Sequence, residues 1–110
     1  MLQYEIAKKL YDEMKNKASK ESEDFYEFFE DFLKSATEYA STRTNWSFMD
    51  REARMEQDRG RSIQHDGYIS LLTAICRNLK IEGIDEIMPD RKTKGDFACY
   101  VALFLGLEQR

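Results

Sequence analysis

A chain of 110 residues that is 42% apolar and 35% charged suits one domain with a modest core, and it is too rich in core residues for a disordered tail. Its formal net charge of −4, from 17 basic against 21 acidic residues, argues against a coat for long nucleic acids, which needs a basic surface. Five glycines and one proline leave few breakers, which favours helices over strands and turns.

At the start of the chain, Leu2, Ile6, Leu10 and Met14 recur every fourth residue, with Ala7 and Tyr11 widening the stripe. The spacing predicts a first helix over about residues 2–17. This segment is amphipathic and mixed in charge, unlike a signal peptide. Ser22, followed by Glu23 and Asp24, has the chemistry of an N-cap with acids at the positive end of the helix dipole. The second helix is expected to run to about Tyr39 and to bury Phe25, Phe28, Phe29, Phe32, Leu33, Ala36 and Ala40. Its acids, Glu21, Glu23, Asp24, Glu27, Glu30 and Asp31, read first as a solvated face.

The segment STRTNWS then breaks the pattern, because Thr, Asn and Ser side chains compete for the backbone. A long third helix is predicted over about 47–79, with Gly60 or Gly67 as places for a bend or a division. KIEGIDEIMPD reads as a connection, and Asp90 caps a last helix through Phe97, Val101, Phe104 and Leu105 to Gly106. The expectation is an all-α fold: one domain over 1–110, a compact four-helix-type bundle with a long third helix. The run from Phe97 to Leu107 is well short of the roughly 20 residues that span a bilayer. Cys76 and Cys99 sit in helical patterns without a CxxC, so neither a disulfide scaffold nor a cysteine zinc site is expected. Together these features predict a soluble protein of the reducing cytoplasm.

Two features of the third helix carry functional information. Ala53, Gly60, Gly67 and Ala74 recur every seven residues, flanked by Met49, Ile63 and Leu71. At 100° per residue they drift only about 20° per step and form one stripe of small residues. Each internal glycine costs about 1 kcal/mol relative to Ala, a cost that makes sense if a second helix comes close. That helix belongs either to the same chain or to a second copy in a homo-oligomer, and the small core favours the oligomer.

The other feature is a change of chemistry along one face. Tyr68, Ile69, Leu72, Cys76 and Leu79 form an apolar stripe whose backward extension meets His65, Arg61, Asp58, Arg54 and Arg51. Buried arginines are rare unless paired, so these groups form either a salt-bridge lattice or an anion site. Arginine forks suit phosphate, His65 adds a hydrogen bond, and Trp46 offers a plane on which a base can stack. Arg91, Lys92 and Lys94 gather at the start of the last helix, near its positive dipole end.

Catalytic templates fit poorly. With a single histidine, His65-Asp66 lacks the further ligands of an HD phosphohydrolase, and no di-iron or zinc set can be assembled. Glu27-x-x-Glu30 and Glu82-x-x-Asp85 are too far apart and too poorly placed for a magnesium pair of the all-α nucleotide pyrophosphatase kind. His65 and Asp66 face about 100° apart on a helix, so neither Ser62 nor Ser70 completes a triad with them. No phosphate-binding or nucleophile-elbow motif is present. The sequence therefore predicts a non-enzyme without metal or cofactor.

RGRSIQHDGYISLLTAICRNL followed by DRKTKGDFACYVALFLGL resembles a family of small uncharacterised helical proteins of Firmicutes and their phages, through Arg61, His65-Asp66, Ile69, Leu72, Arg77 and Gly95-Asp96-Phe97. The resemblance covers about the last 60 residues and implies no activity. In its type of helix, with basic groups leading into small and aliphatic residues, the chain is also similar to phage anti-defence sponges, helical oligomers that sequester immune signalling molecules. From residues and resemblance together, the expected function is binding of a phosphorylated, nucleotide-like small molecule. Its contacts would be Arg51, Arg54, Arg61, His65, Trp46, Arg91, Lys92 and Lys94, with Ala53, Gly60, Gly67 and Ala74 as an oligomer seam. The rival expectation is an interaction module whose acidic second helix, with Phe25, Phe28 and Phe29, covers a basic host protein such as a nuclease or regulator.

Overall fold

Ala7, Leu10, Tyr11, Met14 and Ala18 share one helical face, and in the computed structural model, which describes residues 1–109, that face closes one side of an all-α bundle. Helix α1 spans Tyr4–Ala18, α2 Glu23–Ser47, α3 Arg51–Asn78, α4 the single turn Ile84–Ile87 and α5 Arg91–Glu108. Helix α2 is the central element and packs against α1, α3 and α5. No helix among the described residues is long and apolar enough to cross a membrane.

The core is one contiguous cluster in which Phe29, Phe32, Tyr68, Leu72, Ile75, Phe97, Val101 and Phe104 are buried. Burying each such side chain contributes about 1.5–3 kcal/mol. Within it the rings of Phe29, Phe32, Tyr68 and Tyr39 follow one another at centroid spacings of 6.0, 5.9 and 5.8 Å. Two hydrogen bonds fix α1 on α5: the Tyr11 hydroxyl donates to Glu108 at 3.1 Å and the Tyr100 hydroxyl to the carbonyl of Leu2 at 3.0 Å. Burial and the neighbouring Glu108 carboxylate raise the Tyr11 phenol well above its ordinary range. Both cysteines are free, and burial pushes the Cys76 thiol up to about 12.

Several expectations are corrected. Helix α2 does not stop at Tyr39 but continues through STRTNWS to Ser47. Thr44 and Ser47 return their hydroxyls to the carbonyls of Ala40 and Thr44, at 3.0 and 2.6 Å, so these side chains serve the helix instead of interrupting it. Helix α3 accordingly starts at Arg51 and not at Ser47, capped by Asp50, whose carboxylate accepts the Ala53 amide at 2.8 Å. It runs through Gly60 and Gly67 to Asn78 without division. The last helix passes Gly106 and reaches Glu108, and KIEGIDEIMPD contains the turn α4, entered through Gly83 at a φ of 80°. That left-handed value suits a residue without Cβ. Ile6, counted in the first stripe, is exposed, and Ala7 takes the core position.

Of the two partners expected for the small-residue stripe, this chain supplies none at its glycines. A Cβ placed on Gly60 or Gly67 meets nothing within 4 Å, and Ile63 beside them is 62% exposed. Neither glycine therefore has a neighbouring helix of this chain against it and both are exposed, while Ala53 and Ala74 at the ends of the stripe are half-buried.

Candidate anion site

The stripe that buries Phe29, Phe32, Ala36 and Tyr39 on α2 continues at the same three- and four-residue spacing to Arg43 and Trp46. Opposite it, the α3 stripe of Leu72 and Tyr68 continues to His65, Arg61 and Arg54. Beyond this level α5 has ended, so the two helices project as an antiparallel pair. The first turn of α5 abuts α3 through two bonds: His65 Nε2 lies 3.1 Å from the carbonyl of Arg91, and the Tyr68 hydroxyl donates to the carbonyl of Lys94 at 2.7 Å. Tyr39 meets His65 edge-on at 4.8 Å and stacks on Tyr68, so the boundary between core and site is a set of fixed rings.

A cavity of about 260 Å³ opens at this boundary, lined by Tyr39, Arg43, Arg61, Ser62, His65, Arg91 and Lys92. Its polar inventory is unbalanced. Arg43 Nη1, Arg61 Nε and His65 Nδ1 are buried without a hydrogen-bond partner. Orphaned polar atoms of this kind are rare in cores and call for a ligand or water. Three of the four cations have carboxylates: Arg43 pairs with Asp96 at 2.8 Å, Arg61 with Asp58 at 3.3 Å and Arg91 with Asp66 at 2.8 Å. Asp58 and Asp66 are each 62% exposed, and such surface pairs contribute about 0–1 kcal/mol. Exchanging them for a better acceptor therefore costs little. The Arg43–Asp96 pair is more enclosed and holds Arg43 in place.

Gly95 leaves room for this placement of Arg43. A Cβ there would stand 2.9 Å from Arg43 Nη1 and 3.3 Å from the Tyr39 ring, so a larger residue would displace the Arg43 guanidinium and press on Tyr39. At the tip of α5, Asp90 and Thr93 form a capping box, so Asp90 already answers the helix dipole and the amide of Thr93. The anion site accordingly rests on side chains more than on that helix end. His65 is only 3% exposed. Burial holds its pKa below the ordinary value and the charges of Arg91 and Arg61 add to this, against the bond to the Arg91 carbonyl and the charge of Asp66. A neutral imidazole whose Nε2–H donates to that carbonyl leaves Nδ1 as an acceptor.

The predicted contacts divide into three groups. Arg61, His65, Arg91 and Lys92 line the cavity. Trp46, Arg51 and Arg54 line a neighbouring cleft of about 460 Å³ with Met55 and Asp58. Arg61 joins the two, since its guanidinium lies 4.3 Å from the Trp46 ring centre and pairs with Asp58. Arg54 is committed to the fold: it donates to the carbonyls of Trp46 and Ser47 at 3.0 and 3.3 Å and closes the end of α2. Lys94 turns away to Asp85 at 3.2 Å and lines neither opening. Sequence reasoning missed Arg43, Tyr39 and Gly95. Arg43 was legible in principle, four residues beyond Tyr39, once α2 was allowed to continue.

Among the described residues no group of three or more His, Cys, Asp or Glu side chains is placed to hold a metal ion. No protein-family model, curated protein or solved structure matches this chain.

Proposed function

We propose that this chain is a non-enzymatic binding protein for a phosphorylated, nucleotide-like small molecule. The observation that carries the reading is the convergence of Arg43, Arg61, His65, Arg91 and Lys92 on one cavity with three buried polar atoms unpartnered. At about 260 Å³ the cavity is below the roughly 300–1,000 Å³ of whole-ligand pockets and suits a phosphate group. The larger cleft beside Trp46 receives the remainder of the molecule, with Arg61 shared between phosphate and ring. A protein that holds such a molecule without cleaving it sequesters it, the use implied by the likeness to phage anti-defence sponges.

Native mass spectrometry of gently purified protein, with a denatured control, tests this directly. The expected result is a non-covalent phosphorylated adduct that is lost in an Arg61→Ala, Arg91→Ala variant with unchanged circular dichroism. Equal adduct occupancy in that variant rejects the reading. The same spectra report self-association, which we place on the stripe of Ala53, Gly60, Gly67 and Ala74, whose two glycines are exposed; a dimer that survives Gly60→Leu moves the contact elsewhere.

The acidic face supports a second reading. Glu21, Glu23, Glu27 and Glu30 are exposed and border a shallow concavity of about 650 Å³ with Tyr26, which suits a basic protein surface. A complex abolished by Glu27→Lys and Glu30→Lys, with the anion cavity untouched, selects it over the first.

A further inference from the structure

The anion cavity holds one group that an anion cannot satisfy as it stands. Arg43, Arg61, Arg91 and Lys92 offer only donors, but neutral His65 offers an acceptor: its Nε2–H is spent on the Arg91 carbonyl at 3.1 Å, and its buried Nδ1 is free. A fully ionised oxyanion brought against Nδ1 would place two acceptors face to face, which leaves both unpaired. One proton between them removes the conflict. It arrives on the ligand, as the P–OH of a phosphate monoester, or it is taken from water by the imidazole. Resting on the anion-site reading above, we propose that His65 makes capture proton-linked: the site binds a terminal phosphate together with one proton shared between Nδ1 and a phosphate oxygen.

The groups around His65 support the coupling. Burial and the charges of Arg91 on α5 and Arg61 on α3 disfavour imidazolium in the empty site, with Asp66 opposing them; Arg43 on α2 and Lys92 on α5 line the same cavity, and Tyr39 and Tyr68 pack as neutral rings. A bound anion screens those cations and adds an opposite charge beside the ring. Both changes favour the protonated form, and an opposite charge at this range raises a histidine by about one pH unit or more. Phosphate monoesters titrate near pH 6, so the ligand itself supplies the proton in the same window.

His65 is the only histidine, so its imidazole resonances are unambiguous. The test follows them by NMR from pH 5 to 8, without and with sulfate, which carries no proton of its own in this range. We expect sulfate to raise the His65 midpoint by about one pH unit, and its affinity to fall about tenfold in all as the pH rises from the midpoint of the free protein through that of the complex, levelling off above it. In His65→Gln, whose amide also donates to a carbonyl, the expected residual affinity is independent of pH. Inorganic phosphate run in parallel is expected to bind more tightly than sulfate at pH 7, because it carries its own proton. Sulfate that shifts the Arg43 and Arg61 guanidinium signals but leaves the His65 midpoint in place overturns the proton linkage and spares the anion site. Sulfate and phosphate that perturb none of these signals at any pH overturn both.

Discussion

The two ends of α2 and α3 use the same helical faces for opposite purposes. At the base, where α1 and α5 cover them, those faces carry Phe29, Phe32, Tyr68, Leu72 and Ile75 at near-zero exposure. Towards the tip, where α1 is absent and only the first turns of α5 reach the pair, the same registers carry Arg43, Trp46, Arg54 and Arg61. An apolar face with no neighbour would be left in water, whereas guanidinium groups tolerate partial exposure and still pack their stems on an indole. The change occurs at the Tyr39–His65–Tyr68 contact, where the enclosure of the core and the charge of the tip overlap. A cavity there has both the partial dehydration and the cations that anion binding needs.

The sharpest way to break the comparison is to excavate the base. Phe32→Ala removes a fully buried ring and is expected to cost about 3–5 kcal/mol in urea unfolding, enough to unfold both ends together. Gly95→Ala acts at the boundary. Its methyl group collides with Arg43 and Tyr39, with an expected loss of about 1–3 kcal/mol and a larger proportional loss of sulfate binding as Arg43 is displaced. Asp50→Ala removes the cap of α3 at the tip. It is expected to cost about 1 kcal/mol, with faster hydrogen exchange in the first turns of α3 and unchanged protection of α5. Smallest of all, Asp66→Asn should change stability by less than about 1 kcal/mol, because its pair with Arg91 is solvent-exposed. It should nonetheless tighten sulfate binding by freeing Arg91.

Acidification sharpens the comparison without a substitution in the core. Because His65 titrates below 6.5 when folded, the unfolded chain binds more protons as the pH falls through that value, and stability declines with it. Melting temperatures between pH 7.5 and 5.5 should fall more steeply for the native protein than for His65→Gln. Equal slopes would show that His65 is accessible to protons in the folded state.

The apolar stripes of α1, α3 and α5 were legible because burial on one side of a helix imposes its period on the chain. The cationic extension of the α3 stripe was legible for the same reason, and it led to Arg61 and His65. Arg43 was not, because Thr42, Thr44, Asn45 and Ser47 have side chains that suit caps as well as helices. Their intrinsic preferences were too weak to decide, and packing against α3 settled the matter through contacts such as Thr42 to Gln64 and Arg61 on Trp46. Local patterning by itself therefore determined the fold class and the presence of a cationic face. Which cations meet was decided only by the tertiary structure: Arg91 and Lys92 reach His65 and Lys94 does not, because the docking of α5 places its first turn on α3 and sends the Lys94 side chain towards Asp85. Spacing along one helix says which side chains share a face, but the rotation and depth at which two helices pack depend on residues such as Gly95, whose importance lies in what touches it.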